Sequence, residues 1–279
     1  MATPQHDIKR KLPGIVDIAY DQYKRDLQNY QMAKEIMSHN VVTTSPEASL
    51  KTVARVMGEK HIGSLIVMKY RSPVGIVTER DLLTKVLAYG EFLGDEKVED
   101  VMSYPLISVS FTARIKEVAQ LMISKKGRLA VFDAGTLVGV ITASDLIKSL
   151  PSVPETEAKV DDFMTKEVVT ADEESFVINM AKIMGRQRIG SVVITHEEEP
   201  FGIFTERDLL TSFLATGNSM YTELGPVCSH PLTVIPAGTS VHRAAATMAL
   251  KHIRRLPVVR DDKLIGIITA RDLVEAYAK

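Results

Sequence analysis

Four times along the chain, apolar residues recur at helical spacing, with an alanine and then a methionine in the last places. The members are Leu50/Val53/Ala54/Met57, Ile115/Val118/Ala119/Met122, Val177/Met180/Ala181/Met184 and Val241/Ala244/Ala245/Met248. Positions i, i+3, i+4 and i+7 share one face of an α-helix, so each stripe predicts an amphipathic helix whose alanine marks close packing. Behind each stripe comes a short apolar run: Leu65-Ile66-Val67, Leu129-Ala130-Val131, Val192-Val193-Ile194 and Pro257-Val258-Val259. A turn follows at Ser72-Pro73, Ala134-Gly135, Glu199-Pro200 or Asp261-Asp262, and then a Gly-apolar-apolar-Thr strand. Each unit therefore reads strand, helix, strand, strand, helix. At about 60 residues it is too small to bury a self-sufficient core, so the units are expected to pair.

The units repeat in a fixed frame. Gly75-Ile76-Val77-Thr78-Glu79-Arg80-Asp81-Leu82-Leu83-Thr84 returns as Gly202-Ile203-Phe204-Thr205-Glu206-Arg207-Asp208-Leu209-Leu210-Thr211, with 127 residues from Asp81 to Asp208. Gly139-Val140-Ile141-Thr142-Ala143-Ser144-Asp145-Leu146 returns as Gly266-Ile267-Ile268-Thr269-Ala270-Arg271-Asp272-Leu273, again 127 residues on. Within each half the step is 64 residues, from Asp81 to Asp145 and from Asp208 to Asp272. The organisation is a duplicated pair in the order A-B-A-B. The stripe methionines are 127 apart from Met57 to Met184 but 126 apart from Met122 to Met248, which assigns one extra residue to the Lys251–Arg255 loop of the last repeat. The expected domains are an N-terminal extension (1–31), repeats at 32–90, 95–150, 158–217 and 218–279, and a linker at 151–157. Asp21–Met37 has helical potential and would suit docking of a partner or of a second copy of the chain.

Three features resemble the CBS-domain family over nearly all of residues 32–279. They are the lead-ins Met37-Ser38, Met102-Ser103 and Met164-Thr165, the strand that follows each, and the terminal Gly-x-x-Thr-x-x-Asp. The fourth repeat departs from this pattern, with Gly225-Pro226-Val227-Cys228-Ser229 in place of the Met-Ser step. The resemblance implies an α/β (α+β) fold of four CBS repeats forming two pseudo-symmetric pairs, or Bateman modules. Four repeats in one chain are similar to the gamma subunit of AMP-activated protein kinase and its stand-alone prokaryotic relatives. That likeness implies AMP, ADP or ATP as a regulatory ligand in clefts between paired repeats, energy sensing, and a separate effector protein as partner. Whether the pairs close on each other within one chain or between two, as in a homodimer, stays open.

Candidate site residues follow from the repeats. Thr78/Asp81, Thr142/Asp145, Thr205/Asp208 and Thr269/Asp272 have the spacing of a capping box at a helix start. A helix N-terminus also favours anions, and a carboxylate can accept two hydrogen bonds from vicinal hydroxyls. The family resemblance assigns the aspartate to ribose. Basic residues gather between each stripe helix and the middle strand: His61, Lys126 and Arg128, Arg188, and Arg254 and Arg255. These can complement a helix C-terminus or clamp phosphate, where arginine is the better bidentate partner. Arg128 and Arg255 stand just before the middle strands of the even repeats, where the odd repeats carry Ser64 and Ser191 in Ile-Gly-Ser turns. The sites are therefore expected to be non-equivalent, with phosphate held mainly by arginines of the even repeats. Thr43, Ser108, Thr170 and Thr233 occupy the slot that the family uses against the nucleotide, with Val42, Ile107 and Val169 as candidate base-pocket walls.

Composition narrows the function. Net charge is −1, so no global field recruits nucleic acid or an anionic membrane. A single cysteine excludes an internal disulfide framework and fits a cytoplasmic location. The seven histidines show no His-x-x-x-His spacing, and no metal is expected. No nucleophile–base pair or P-loop is evident, so no catalysis is expected. The competing expectations keep the fold but change the ligand to S-adenosylmethionine, to nucleic acid, or to none. The basic clusters favour a phosphate-bearing ligand.

Overall fold

The computed structural model describes residues 32–85, 87–89, 96–125, 127–149 and 157–279. In the first repeat a short lead-in helix α1 (Ala33–Ile36) precedes β1 (Thr43–Thr44), α2 (Leu50–Glu59), β2 (Ser64–Lys69), β3 (Ser72–Thr78) and α3 (Glu79–Lys85). The second contains α4 (Val98–Val101), β4 (Ser108–Ser110), α5 (Ile115–Lys125), β5 (Leu129–Asp133), β6 (Thr136–Ile141) and α6 (Ala143–Ser149). The third begins with a 3₁₀ turn (Val160–Asp162). It continues through β7 (Thr170–Asp172), α7 (Val177–Gln187), β8 (Ser191–His196), β9 (Glu199–Thr205) and α8 (Glu206–Leu209), which runs into a π-helical turn (Leu210–Leu214). The fourth has a 3₁₀ turn (Gly225–Val227), β10 (Ile235–Pro236), α9 (Val241–Lys251), β11 (Arg255–Arg260), β12 (Lys263–Thr269) and α10 (Ala270–Ala278).

Each repeat forms its own three-stranded sheet, with the first strand parallel and the third antiparallel to the middle one. All four stripes are buried as the periodicity requires. Ser49 and Ser240 cap α2 and α9 by accepting the amides of Thr52 and Arg243. The hairpins turn on two residues of positive φ, Tyr70/Arg71, Ala134/Gly135, Glu197/Glu198 and Asp261/Asp262. Left-handed backbone at both central positions matches the twist of the flanking strands.

Two sequence expectations need correction. The middle strand of the last repeat is Arg255–Arg260, so its first core residue is Leu256, one position before the expected Pro257. The odd loop length also lies elsewhere. His61, Arg188 and His252 all take the left-handed conformation just beyond their stripe helices, at equivalent places in repeats one, three and four. The second repeat reaches Leu129 one residue sooner, so it has lost a residue and the fourth has gained none. Of the helical potential over 21–37, α1 is the described part; residues 1–31 and most of the linker lie outside the described residues.

Lead-in segments join the repeats into pairs by exchange. Ser38 and Val140 trade backbone hydrogen bonds (2.9 and 3.1 Å), placing the first lead-in on the sheet of the second repeat. Ser103 and Ile76 do the reverse, at 2.8 and 3.0 Å. Thr165 with Ile267, and Ser229 with Ile203, repeat this in the other half. At each crossing a sulfur atom lies over a strand glycine that has no room for a Cβ: Met37 over Gly139, Met102 near Gly75, Met164 over Gly266 and Cys228 over Gly202. Cys228 thus stands where the other repeats place methionine. Its amide bonds Leu224 O at 2.8 Å, as those of Met37, Met102 and Met164 bond Ala33, Val98 and Val160. The departure in the fourth lead-in is absorbed without loss of the turn.

The pairs then pack on each other within one chain. One core joins the stripe helices α5 and α9 with Leu146, Leu273 and Val274, uniting repeats two and four. Leu83 and Leu87 of repeat one enter the core of repeat three, and Leu210 and Leu214 return into that of repeat one. Gly58 of α2 and Gly185 of α7 let Ala215 and Ala88 approach to where a Cβ would collide.

Candidate functional site

All four Thr-x-x-Asp elements close as helix caps. The amide and hydroxyl of each threonine donate to one carboxylate oxygen: 2.9 and 2.6 Å from Thr78 to Asp81, 2.8 and 2.7 Å from Thr142 to Asp145, 2.8 and 2.7 Å from Thr205 to Asp208, and 2.8 Å twice from Thr269 to Asp272. The cap consumes Oδ2 and leaves Oδ1 as an acceptor. Asp81 Oδ1 meets Lys85 Nζ at 3.1 Å and the Ser103 hydroxyl at 3.3 Å, and Asp208 Oδ1 meets the Ser229 hydroxyl at 3.5 Å. Among the described residues, Oδ1 of Asp145 and of Asp272 bonds no partner. Burial pushes the carboxyls of Asp208 and Asp272 above the usual range, against their threonine hydrogen bonds.

Where the two pairs meet, a cavity of about 550 Å³ is lined by residues of all four repeats. Its lining includes Ile76, Thr78 and Asp81 of repeat one with Ser103, Pro105 and Ile107 of repeat two. It also includes Ile267, Thr269 and Asp272 of repeat four with Thr165, Glu167 and Val169 of repeat three. Arg80, Arg128, Arg188, Arg254, Arg255 and Arg271 line the same cavity.

Two glutamates pair with four of these arginines, Arg80, Arg128, Arg254 and Arg255, and with Arg207 beside them. Arg207 Nε lies 2.8 Å from Glu79 Oε1, and Arg80 Nε lies 2.9 Å from Glu206 Oε1, each ion pair linking repeats one and three. The even-repeat arginines approach the opposite oxygens: Arg128 Nη2 at 3.9 Å from Glu79, and Arg255 Nη2 at 3.3 Å from Glu206. Arg254 Nη1 is 4.0 Å from Glu79. The Ile-Gly-Ser turns of the odd repeats explain how the guanidinium groups fit. A Cβ on Gly63 would lie 2.8 Å from Arg128 Nη2, and one on Gly190 would overlap the guanidinium of Arg255. Burial lowers the pKa of Arg128, Arg207 and Arg255, and the glutamates oppose that shift.

Eleven of the residues singled out from sequence come together in this lining: Thr78, Asp81, Thr142, Thr269, Asp272, Arg128, Arg188, Arg254, Arg255, Ile107 and Val169. Asp145, Thr205 and Asp208 cap their helices outside it. His61 is exposed at its helix end, and Val42 packs into the core of the first repeat. Thr43 and Ser108 are exposed on their first strands. Thr170 lines a separate groove of about 390 Å³ with Lys166, Glu198 and Lys263. Thr233 corrects a register: Ile235 pairs with Val258 as Thr44 pairs with Val67, so Val234 is the equivalent of Thr43. Lys126 lies outside the described residues. Sequence reasoning gave no role to Glu79, Arg80, Glu206 and Arg207. Their signal was the Glu-Arg dipeptide of both odd repeats, which the even ones replace by Ala143-Ser144 and Ala270-Arg271.

Among the described residues there is no group of three or more His, Cys, Asp or Glu side chains that could hold a metal ion, and no helix long and apolar enough to cross a membrane. The family model for the CBS domain matches residues 33–88, 98–152, 160–215 and 224–279. Protein MJ1225 of Methanocaldococcus jannaschii is 31% identical over 196 residues, covering 64% of this chain and 69% of that one. Protein MJ1404 of the same organism is 27% identical over 264 residues, 88% of this chain but 61% of its own length. The crystal structure of MJ1225, described as that of a proposed archaeal homolog of g-AMPK, superimposes with a TM-score of 0.72 at 22% identity. It covers 88% of this chain and 99% of that one. A conserved protein from Pyrococcus horikoshii has the same fold, with a TM-score of 0.61 at 21% identity and coverage of 88% and 99%.

Proposed function

The chain belongs to the CBS-domain family, whose repeats are non-catalytic regulatory modules, and on that premise we propose that it is a sensor of adenine nucleotides acting on a separate effector protein in the cytoplasm. The observation that carries this reading is the shared cavity, in which two Thr–Asp caps and the arginines of both pairs converge. Oδ1 of Asp272 is an acceptor for a ribose hydroxyl, and a hydrogen bond to a charged group is stronger than a neutral one. Arg188, Arg254 and Arg255 offer planar bidentate donors to phosphate, and Ile107 and Val169 offer apolar wall to a base. The likeness to MJ1225, described as a proposed archaeal homolog of g-AMPK, accords with a regulatory role. Because the cavity draws on all four repeats, a ligand there has different contacts in different arrangements of the two pairs. That difference in affinity is what shifts a conformational equilibrium toward the state an effector reads.

Titration calorimetry of ligand-stripped protein with AMP, ADP, ATP and S-adenosylmethionine tests this. Nucleotide is expected to bind, and Asp272→Ala to weaken it about tenfold or more, since a hydrogen bond to a charged group is worth about 1.5–3 kcal/mol. Binding of S-adenosylmethionine alone, or equal affinity of the variant, would contradict the reading.

A further inference from the structure

Four arginines of the cavity, Arg80, Arg128, Arg254 and Arg255, already have anions. Glu79 is 5% exposed and faces three guanidinium groups; Glu206 lines the cavity and faces two. The distances divide these contacts into two classes. The ion pairs that tie repeat one to repeat three, Arg207 with Glu79 and Arg80 with Glu206, are short at 2.8 and 2.9 Å; the second is a hydrogen bond, whereas Glu79 Oε1 accepts none. The approaches from the even repeats, Arg128 to Glu79 and Arg255 to Glu206, are longer at 3.9 and 3.3 Å. Each glutamate would therefore keep a close partner if its even-repeat arginine turned away. A buried carboxylate stripped of every cation would be costly, but here none is stripped.

Resting on the nucleotide reading, we infer that Glu79 and Glu206 are built-in counter-anions of the phosphate site. They hold Arg128 and Arg255 in place when no ligand is bound and compete with ligand phosphate for them. Phosphate that recruits Arg255 leaves Glu206 wholly to Arg80, and phosphate that recruits Arg128 leaves Glu79 to Arg207. Ligand occupancy at the even-repeat arginines is thereby coupled to the ion pairs that clamp the two CBS pairs together. Glu206 is thus a residue that sets phosphate affinity without contacting phosphate.

The test uses two variants that break the same Arg80–Glu206 ion pair and predicts opposite effects. Glu206→Gln removes the competitor and keeps the shape, so ATP and pyrophosphate should bind more tightly, by about fivefold, the lower end of common coupling factors. Arg80→Met leaves Glu206 with Arg255 as its remaining close cation, so both ligands should bind more weakly by a similar factor. Calorimetry on the full chain reads both affinities, and circular dichroism verifies that each variant is folded. A purely structural ion pair would move both variants in the same direction; that result, or no change in either, overturns the inference. Binding of pyrophosphate without any of AMP, ADP or ATP would overturn the adenosine reading, while the two signs measured with pyrophosphate would still decide the competition. Absence of any response to pyrophosphate in wild type and variants overturns the competition itself.

Discussion

Gly139 illustrates how much single atoms decide in this chain. A Cβ there would run into the thioether of Met37, which belongs to the lead-in of a different repeat. Gly139→Ala is expected to destabilise by about 1–3 kcal/mol, the usual cost of overpacking, read as a lower midpoint in chemical denaturation. Gly127→Ala is the control: its nearest neighbour would be 3.6 Å away, so stability should stay within about 0.5 kcal/mol. A second residue-scale expectation concerns pH. The hydrogen bond that His196 Nδ1 donates to the Glu173 carboxylate raises the pKa of His196 above its ordinary value. A raised histidine contributes stability that is complete below the unfolded pKa of about 6.5 and is lost as pH rises through the folded value. An NMR titration of His196 should therefore give a higher pKa than that of Glu173→Gln, and equal values would contradict the assignment.

At the scale of elements, much of the fold was legible in the sequence. The stripes Leu50/Val53/Ala54/Met57 and their three copies are buried helices because a 3.6-residue period leaves no other face for those side chains. Strands and turns followed from the same frame. The misplacements came where spacing alone had to fix register. Pro257 looked like the start of a strand, yet the fold places it second after Leu256, and Thr233 missed its slot by one residue. Counting between methionines showed that one loop differs but not which repeat had changed. Position-by-position comparison of the four copies also gives a stability prediction. Ser49 and Ser240 cap their stripe helices, whereas the N-cap of α7 is Phe176, 41% exposed and without a side-chain cap bond. Phe176→Ser should raise the thermal midpoint, by a cap contribution of about 1 kcal/mol, and an unchanged or lower midpoint would contradict this.

At the scale of the whole molecule, the sequence left open how the pairs close. That closure brings Arg80 to Glu206 across 126 positions and Arg207 to Glu79 across 128, a proximity that no local pattern encodes. The individual phosphate candidates Arg128 and Arg255 were legible as basic residues before a strand. Their glutamate partners were not, because a Glu-Arg dipeptide at a helix start reads locally as a solvated first turn. The assembled cavity follows from the interlocked lead-ins within each pair and the shared cores between pairs, and it unites residues of all four repeats. In the proposed complex an adenine nucleotide occupies this cavity with its phosphates among the arginines and its ribose on a Thr–Asp cap. A crystal structure of the full chain grown with ATP tests it most directly. Phosphate oxygens are expected at about 2.7–2.9 Å from guanidinium nitrogens of Arg128, Arg188, Arg254 or Arg255, the spacing of charge-assisted hydrogen bonds, with a ribose hydroxyl on Asp272. Nucleotide held instead in the groove by Lys166 and Glu198, or an arginine cavity without nucleotide at saturating ATP, would contradict it.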